Sequence, residues 1–267
     1  METKKNKVSI IGAGNMGGAI ARGLLRGNLI EPKNLRVSDI SKCNLDALQV
    51  INPDIVVSEY NVDIIPEADV IILAVKPWLV WSVVEEIKYK IDYQRQIIIS
   101  LAAGVDFKQL KEYFDESATL FRLIPNTAIE VLQGVSTISS LNATVEQEQL
   151  VVDIFGQTGK SFLVPEAQLN AFMSLSSCGI AYAFRYIRAA MEGGIEMGIY
   201  PQISKEVILQ TLRGAIELLE ANNSHPEAEI DKVTTPGGIT IKGLNEMEAH
   251  GFTNAVIKGL KASHLKQ

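Results

Sequence analysis

Three short segments carry residue types and spacings able to do chemistry. The first is Gly12-Ala13-Gly14-Asn15-Met16-Gly17, which follows the apolar run Val8 to Ile11 and opens a helical pattern ending near Arg26. In that setting the glycines play distinct parts. Gly12 permits a tight turn, Gly14 lets backbone approach a pyrophosphate, and Gly17 lets helix and strand pack closely. The phosphates would sit on the helix N-terminus, where unpaired backbone N–H groups point outward. The pattern points to a dinucleotide.

The second segment lies at the ends of later strands. Asp39 stands 22 residues past Gly17, where an acidic side chain binds a ribose 2′-OH and disfavours a 2′-phosphate. Ser38, Ser41 and Lys42 are beside it and suit a phosphate, and a loop or capping carboxylate is an equal reading of Asp39. The run Val70 to Val75 leads into Ala74-Val75-Lys76-Pro77, at the edge where an open α/β sheet presents its carboxyl ends. Lys76 there suits a cofactor or an anionic substrate; a solvated lysine before a helix is the alternative. The small residues around Ala102 and the loop residue Asn126 would let a flat ring lie close to backbone.

The third is Asp231-Lys232-Val233-Thr234-Thr235-Pro236-Gly237-Gly238-Ile239-Thr240, ahead of a helical pattern from about Ile241 to His250. Two glycines and two hydroxyls at a helix N-terminus make a ready carboxylate site. A plain turn and cap is the other reading.

These segments need a scaffold. Up to about Lys160, β-rich runs alternate with helical stretches: runs at 8–11, 35–38, 55–57, 70–75, 96–100, 119–123, 135–139 and 160–164, with helices at 16–26, 41–50, 77–88, 106–114 and 144–155. That alternation predicts an α/β, Rossmann-type doubly wound sheet, mostly parallel and covered on both faces, over residues 1–164. From 165 to 267 the pattern is helical throughout, which predicts an all-α C-terminal domain. Its first helix, from about Glu166 to Gly194, is apolar nearly all round, so it should be buried on several sides. A partner chain would supply part of that core, giving a homodimer or larger. Val207 to Leu219 form the stripe of a further helix with Ser204 as its expected cap.

Composition narrows the field. The chain has 267 residues, is 47% hydrophobic, and carries 25 Lys and Arg against 31 Asp and Glu. With no polybasic run, nucleic acid is not an expected partner. No apolar stretch approaches the roughly 18 residues a membrane span needs, and Lys4, Lys5 and Lys7 lead straight into a strand pattern, so a cytoplasmic location is expected. Cys43 and Cys178 suggest neither a disulfide framework nor zinc, and His225, His250 and His264 lack metal-ligand spacing, so no metal is expected. Trp78 and Trp81 read as helix packing, and Tyr182 and Cys178 as core.

Taken together, IGAGNMGGAI near the start, LAVKP at 73–77, SLAAGV at 100–105, PNT at 125–127 and above all DKVTTPGGITIKGLNEME at 231–248 resemble the pyrroline-5-carboxylate reductase family. The resemblance covers almost the whole chain. It implies that Gly12 to Met16 hold the pyrophosphate, that Ser38 and Asn61 lie near the adenosine ribose or its phosphate, and that Ala74 to Pro77, Ala102 and Asn126 surround the nicotinamide side. Thr235, Gly237, Gly238, Ile239 and Thr240 would hold the substrate, with Thr240 nearest the imine; Thr240 and Lys76 are the catalytic candidates. The implied reaction is hydride transfer from NADPH, with NADH also open, to a cyclic imine, giving L-proline at a site placed by the family at a dimer interface. Two departures stand out: Ser176-Ser177-Cys178-Gly179-Ile180-Ala181-Tyr182 where the family reads close to SGSGPAY, and Ala128 where it reads PNTP. A β-hydroxyacid dehydrogenase would carry a lysine on the first long helix of the second domain, and none lies between Glu166 and Gly194. A related imine or ketimine reductase, or a non-catalytic NAD(P)-binding sensor, are the other readings.

Overall fold

The computed structural model describes residues 6–264. The chain divides into two compact units, after Ser177. In the first, eight strands form one sheet: β1 (Val8–Ile11), β2 (Leu35–Ser38), β3 (Val56–Ser58), β4 (Val70–Leu73), β5 (Ile97–Ser100), β6 (Thr119–Pro125), β7 (Gly134–Leu141) and β8 (Gly159–Leu163). Their order is β3-β2-β1-β4-β5-β6-β7-β8. All neighbours run parallel except β6 and β7, whose connection, residues 126–133, is too short for a crossover. β1, β4 and β5 are buried along their whole length because helices cover both faces of the sheet. Ser9 tolerates that burial by donating its hydroxyl to the Ile64 carbonyl at 2.6 Å.

The helices of this unit are α1 (Asn15–Arg26), α2 (Lys42–Ile51), α3 (Val80–Ile87), α4 (Phe107–Leu110), α5 (Val145–Gly156) and α6 (Leu169–Phe172). One core gathers Val8, Ile10, Ile20, Leu24 and Phe155 on one face of the sheet, and another gathers Ile11, Ile71, Val80, Val84 and Leu110 on the other. Asp106 and Thr144 start α4 and α5 with reciprocal capping bonds to Gln109 and Gln147. In register, Ile11 lies beside Ser38 on one side and Leu73 on the other, so the carboxyl ends of β1, β2 and β4 meet where the strand order reverses. Such a switch point is where an open α/β sheet leaves a crevice.

The single helix expected from Glu166 to Gly194 is broken instead. A 3-10 turn at Glu166–Gln168, α6, and a π turn at Met173–Ser177 precede α7 (Gly179–Glu196). Hydroxyls explain the widening: Ser174 donates to the Asn170 carbonyl at 3.0 Å and Ser176 to the Phe172 carbonyl at 2.7 Å, competing with the regular ladder. This segment is pinned to the sheet, because Glu166 accepts from buried Arg122 at 2.7 Å and from the Phe107 N–H at 2.8 Å.

The second unit holds α7, α8 (Pro201–Asn222), α9 (Pro226–Lys232), α10 (Ile239–Ala249) and α11 (Phe252–Ala262). Ser204 is not the cap of α8. Pro201 starts the helix at its first position, where a missing N–H costs nothing. Ser204 lies one turn inside, buried, with its hydroxyl on the Met191 carbonyl at 3.2 Å. Nor is α7 buried on several sides within one chain: Phe184 is 63% exposed and Gly194 is its one buried residue. Tyr182 and Trp78 are exposed rather than packed, whereas Trp81 stacks on Tyr113 at 3.9 Å between ring centroids. No helix of the described residues is long and apolar enough to cross a membrane.

Two ion pairs carry testable weight. Glu166→Ala would leave the Arg122 guanidinium buried without its carboxylate, and is expected to cost about 2–3 kcal/mol, read as a lower midpoint in chemical denaturation. At α1, Arg22 grips Glu130 through two bonds of 2.9 and 3.2 Å and holds its carboxyl below the ordinary carboxylate range. A lowered folded-state value means that this contribution is complete above the unfolded glutamate value, about 4.3, and fades as pH falls through the folded one. Melting curves from pH 6 to pH 3 should therefore fall less steeply for Glu130→Gln than for the wild type.

Candidate active site

A cleft of about 800 Å³ opens in the first unit at the switch point. Its floor is the turn after β1. The Gly12 N–H donates to the Ser38 carbonyl at 2.8 Å, and Gly12 has φ +98°, where a Cβ would stand 2.8 Å from the Ala74 carbonyl oxygen. Gly17 is tighter: a Cβ there would meet the Gly12 carbonyl oxygen at 1.9 Å. These two glycines bring α1 down onto the strand ends. Gly14 differs, since a Cβ on it would meet nothing within 4 Å.

That open space lies at the start of α1. Gly14 is the N-cap, no side chain caps it, and the Gly18 N–H closes back onto its carbonyl at 2.8 Å. The amides before Gly18 therefore lack partners within the helix and carry the positive end of its dipole. Such a helix start suits an anion such as a phosphate.

At the end of β2, the Asp39 carboxylate accepts from the Ala13 N–H at 2.5 Å and the Ser41 N–H at 2.7 Å. It braces the glycine loop and also lines the cleft. Asn61 lines the same end, with its Oδ1 accepting from Ser38 and its Nδ2 donating to Glu86, both at 2.8 Å. On the far side Ala74, Val75, Lys76 and Pro77 border the cleft, with the Ala74 N–H on the Ile11 carbonyl at 2.8 Å and Lys76 exposed.

Gly12, Gly14, Asn15, Met16, Asp39, Asn61 and residues 74–77 thus come together around one cavity. Ala13, Gly17, Ser38, Ala102 and Asn126 stand outside its lining. Ser38, Ala102 and Asn126 are buried behind it, and Asn126 ties the Val135 N–H to the Ser176 carbonyl while Leu101, Ala103 and Pro125 reach the cavity. Sequence reading missed Ser82, Val83 and Glu86, although their spacing puts them on one face of α3. It also missed Met173 and Ser177, whose orientation comes from the π turn. No pattern of residue types announces such a turn.

In the second unit the TPGG segment is an ordered turn. Thr235 accepts from the Gly238 N–H at 2.9 Å, with Pro236 second and Gly237 third at φ +71°, the arrangement of a type II turn. Gly238 is the N-cap of α10 and again no side chain caps it. Ile239 and Thr240 open the helix, and Thr235 and Thr240 are exposed. Its first amides suit a carboxylate. Among the described residues no group of three His, Cys, Asp or Glu could hold a metal; His225 accepts from the Glu227 N–H at 3.3 Å and His250 meets Glu246 at 3.1 Å.

A doubly wound sheet with this glycine cradle at its switch point defines a dinucleotide-binding protein of the oxidoreductase type. Comparisons with known proteins agree: residues 166–267 match the model described as pyrroline-5-carboxylate reductase dimerisation, and residues 7–104 the one described as NADP oxidoreductase coenzyme F420-dependent. The pyrroline-5-carboxylate reductase of Methanosarcina acetivorans is 34% identical over 97% of this chain and 97% of its own. That of Arabidopsis thaliana is 33% identical over 96% of this chain and 94% of its own. The chain spans 49% of another relative, Pyrroline-5-carboxylate reductase 1 of Dictyostelium discoideum, at 33% identity. Among solved structures, the Plasmodium falciparum pyrroline carboxylate reductase with NADP bound is 27% identical, with a TM-score of 0.88 over 98% of this chain and 96% of that one. The Coxiella burnetii enzyme gives the same identity and TM-score over 97% and 96%. The chain belongs to the pyrroline-5-carboxylate reductase family.

The glycines separate two effects. Gly17→Ala should destabilise the fold, because its methyl group collides with backbone, whereas Gly14→Ala should keep the wild-type melting temperature. Gly14→Ala is nonetheless expected to weaken dinucleotide binding by at least about ten-fold, ~1.4 kcal/mol, in calorimetric titration.

Proposed function

We propose that this protein is a pyrroline-5-carboxylate reductase, reducing the cyclic imine to L-proline in proline biosynthesis with a reduced nicotinamide dinucleotide. NADPH is the cofactor supported by the NADP-bound neighbour, and NADH is admitted by Asp39. The observation that carries the reading is the pairing, in one family member, of the glycine cradle with the Thr235 to Thr240 turn.

When bound, the dinucleotide supplies the hydride. The chain's own residues bind and orient. Asn15, Met16 and the first amides of α1 would hold the pyrophosphate, Asp39 and Asn61 the adenosine ribose, and Ala74 to Pro77 the nicotinamide side. Lys76 adds a positive charge at that end, suited to an anionic substrate. The uncapped amide of Ile239, with the Thr235 hydroxyl, would take the substrate carboxylate, while the Gly238 N–H closes the turn onto the Thr235 carbonyl. Thr240, on the first turn of α10, would donate to or relay a hydrogen bond at the ring nitrogen. A cyclic imine can enter already protonated, so the protein has chiefly to align two partners and stabilise charge.

The working form is proposed to be a homodimer or larger. The match to the family's dimerisation region supports it, as does the exposed apolar surface of α7 and α8, with Phe184, Tyr186, Ile203 and Val207 among the residues left open in one chain. A cytoplasmic setting suits the exposed free thiol of Cys43.

The test is loss of reduced-nicotinamide absorbance on addition of pyrroline-5-carboxylate. Thr240→Ala is expected to fold normally and to lose about ten- to a hundred-fold in kcat/KM, ~1.4–2.7 kcal/mol, with partial recovery in Thr240→Ser. Wild-type kinetics in folded Thr240→Ala would remove Thr240 from the mechanism.

A further inference from the structure

The adenosine end of the cleft carries a pattern of donors and acceptors that distinguishes two cofactors. Asp39 follows β2 directly, at the place where this architecture meets the adenosine ribose. Its two oxygens each accept one backbone N–H, from Ala13 and Ser41. A carboxylate offers about four acceptor positions, so roughly two remain, and each needs a donor. A ribose 2′-hydroxyl is a donor. A 2′-phosphate is an acceptor with about −1.5 to −2 charges.

Two neutral side chains that line or back this end are already engaged. The Ser38 hydroxyl is buried and given to Asn61 Oδ1, and Asn61 Nδ2 is given to Glu86 at 2.8 Å. That amide orientation is forced, because a carboxylate only accepts. Glu86 also lines the cleft, so a second carboxylate stands at this end. Lys76 is the one basic residue in the lining among the described residues, and it follows β4 rather than β2. Within the lining a 2′-phosphate would face two like charges with no guanidinium or ammonium between them; Lys42, at the start of α2, stands outside that lining.

We propose that this protein binds NADH at least as tightly as NADPH, and that Asp39 and Glu86 are the residues that set this preference. The inference rests on the reading of the cleft as a nicotinamide dinucleotide site. Asp39 then both braces the glycine loop and selects the ribose, and Glu86 acts selectively through its charge and through its hold on Asn61.

The experiment is titration of the full-length protein with NADH and, separately, NADPH, followed by fluorescence of the reduced nicotinamide, with wild type, Asp39→Ser and Glu86→Gln. The expected result is a Kd for NADH equal to or below that for NADPH in the wild type, and a shift of the Kd ratio toward NADPH by at least about ten-fold in Asp39→Ser and several-fold in Glu86→Gln. Glu86→Gln keeps an acceptor for Asn61, so it reports on charge even if Asp39→Ser loosens the loop. Tighter NADPH binding in the wild type, or an unchanged ratio in both variants, overturns the proposal while leaving the dinucleotide reading intact. Binding of neither nucleotide overturns that reading and the proposal with it.

Discussion

The close approach of α1 to the ends of β1 and β4 is the constraint on which the rest of the first unit depends. Gly17 lies so near the Gly12 carbonyl, and Gly12 so near Ala74, that neither position has room for a side chain. That contact sets the angle at which α1 leaves the sheet and aims its uncapped amides into the cleft. The rim is fastened to the same point: Gly12 to the Ser38 carbonyl, Ala13 to the Asp39 carboxylate, Ala74 to the Ile11 carbonyl. A binding loop needs such bracing, because amides that wander cannot hold a phosphate at low entropic cost.

Polar groups around the cleft serve structure and chemistry at once. Asp39 braces the loop and lines the cleft; Asn61 joins β2 to α3 and lines the same space; buried Asn126 joins the β6–β7 connection to the π turn that brings Met173 and Ser177 to the cavity. Arg22 and Arg26 add a further tie, binding the Glu130 side chain and carbonyl from the outer face of α1. Charge-assisted bonds of this kind are shorter and stronger than neutral ones, which suits parts that must stay in register under ligand exchange.

The second unit follows a different logic. Its helices leave large apolar side chains open, including Phe184, Leu218, Phe252 and Ile257, so a single copy buries too little of its own surface. The family to which the chain belongs places its dimerisation region here, over residues 166–267. The same unit presents the ordered turn Thr235-Pro236-Gly237-Gly238, closed by the Gly238 N–H on the Thr235 carbonyl and with Thr235 exposed.

Residue order alone determined a great deal. All eight strands were legible: β1, β4 and β5 as apolar runs buried on both faces, the exposed edge strands β3 and β8 by their place between helical patterns and turns, and the glycine spacing identified the cradle. The turn at Thr235 to Gly238 was equally legible, since proline and glycine positions encode it directly. Other features arose only from tertiary contacts. The break at Met173–Ser177 depends on hydroxyls competing for carbonyls of a helix pinned by Arg122 and Glu166. Ser204 turned inward to Met191 because Pro201 had already started the helix. Glu86 became part of the cleft through α3 packing its apolar face on the sheet, which turned its other face toward Asn61. Local preference is written residue by residue, whereas which of two hydrogen-bond partners a side chain takes depends on what the folded chain brings within about 3 Å of it.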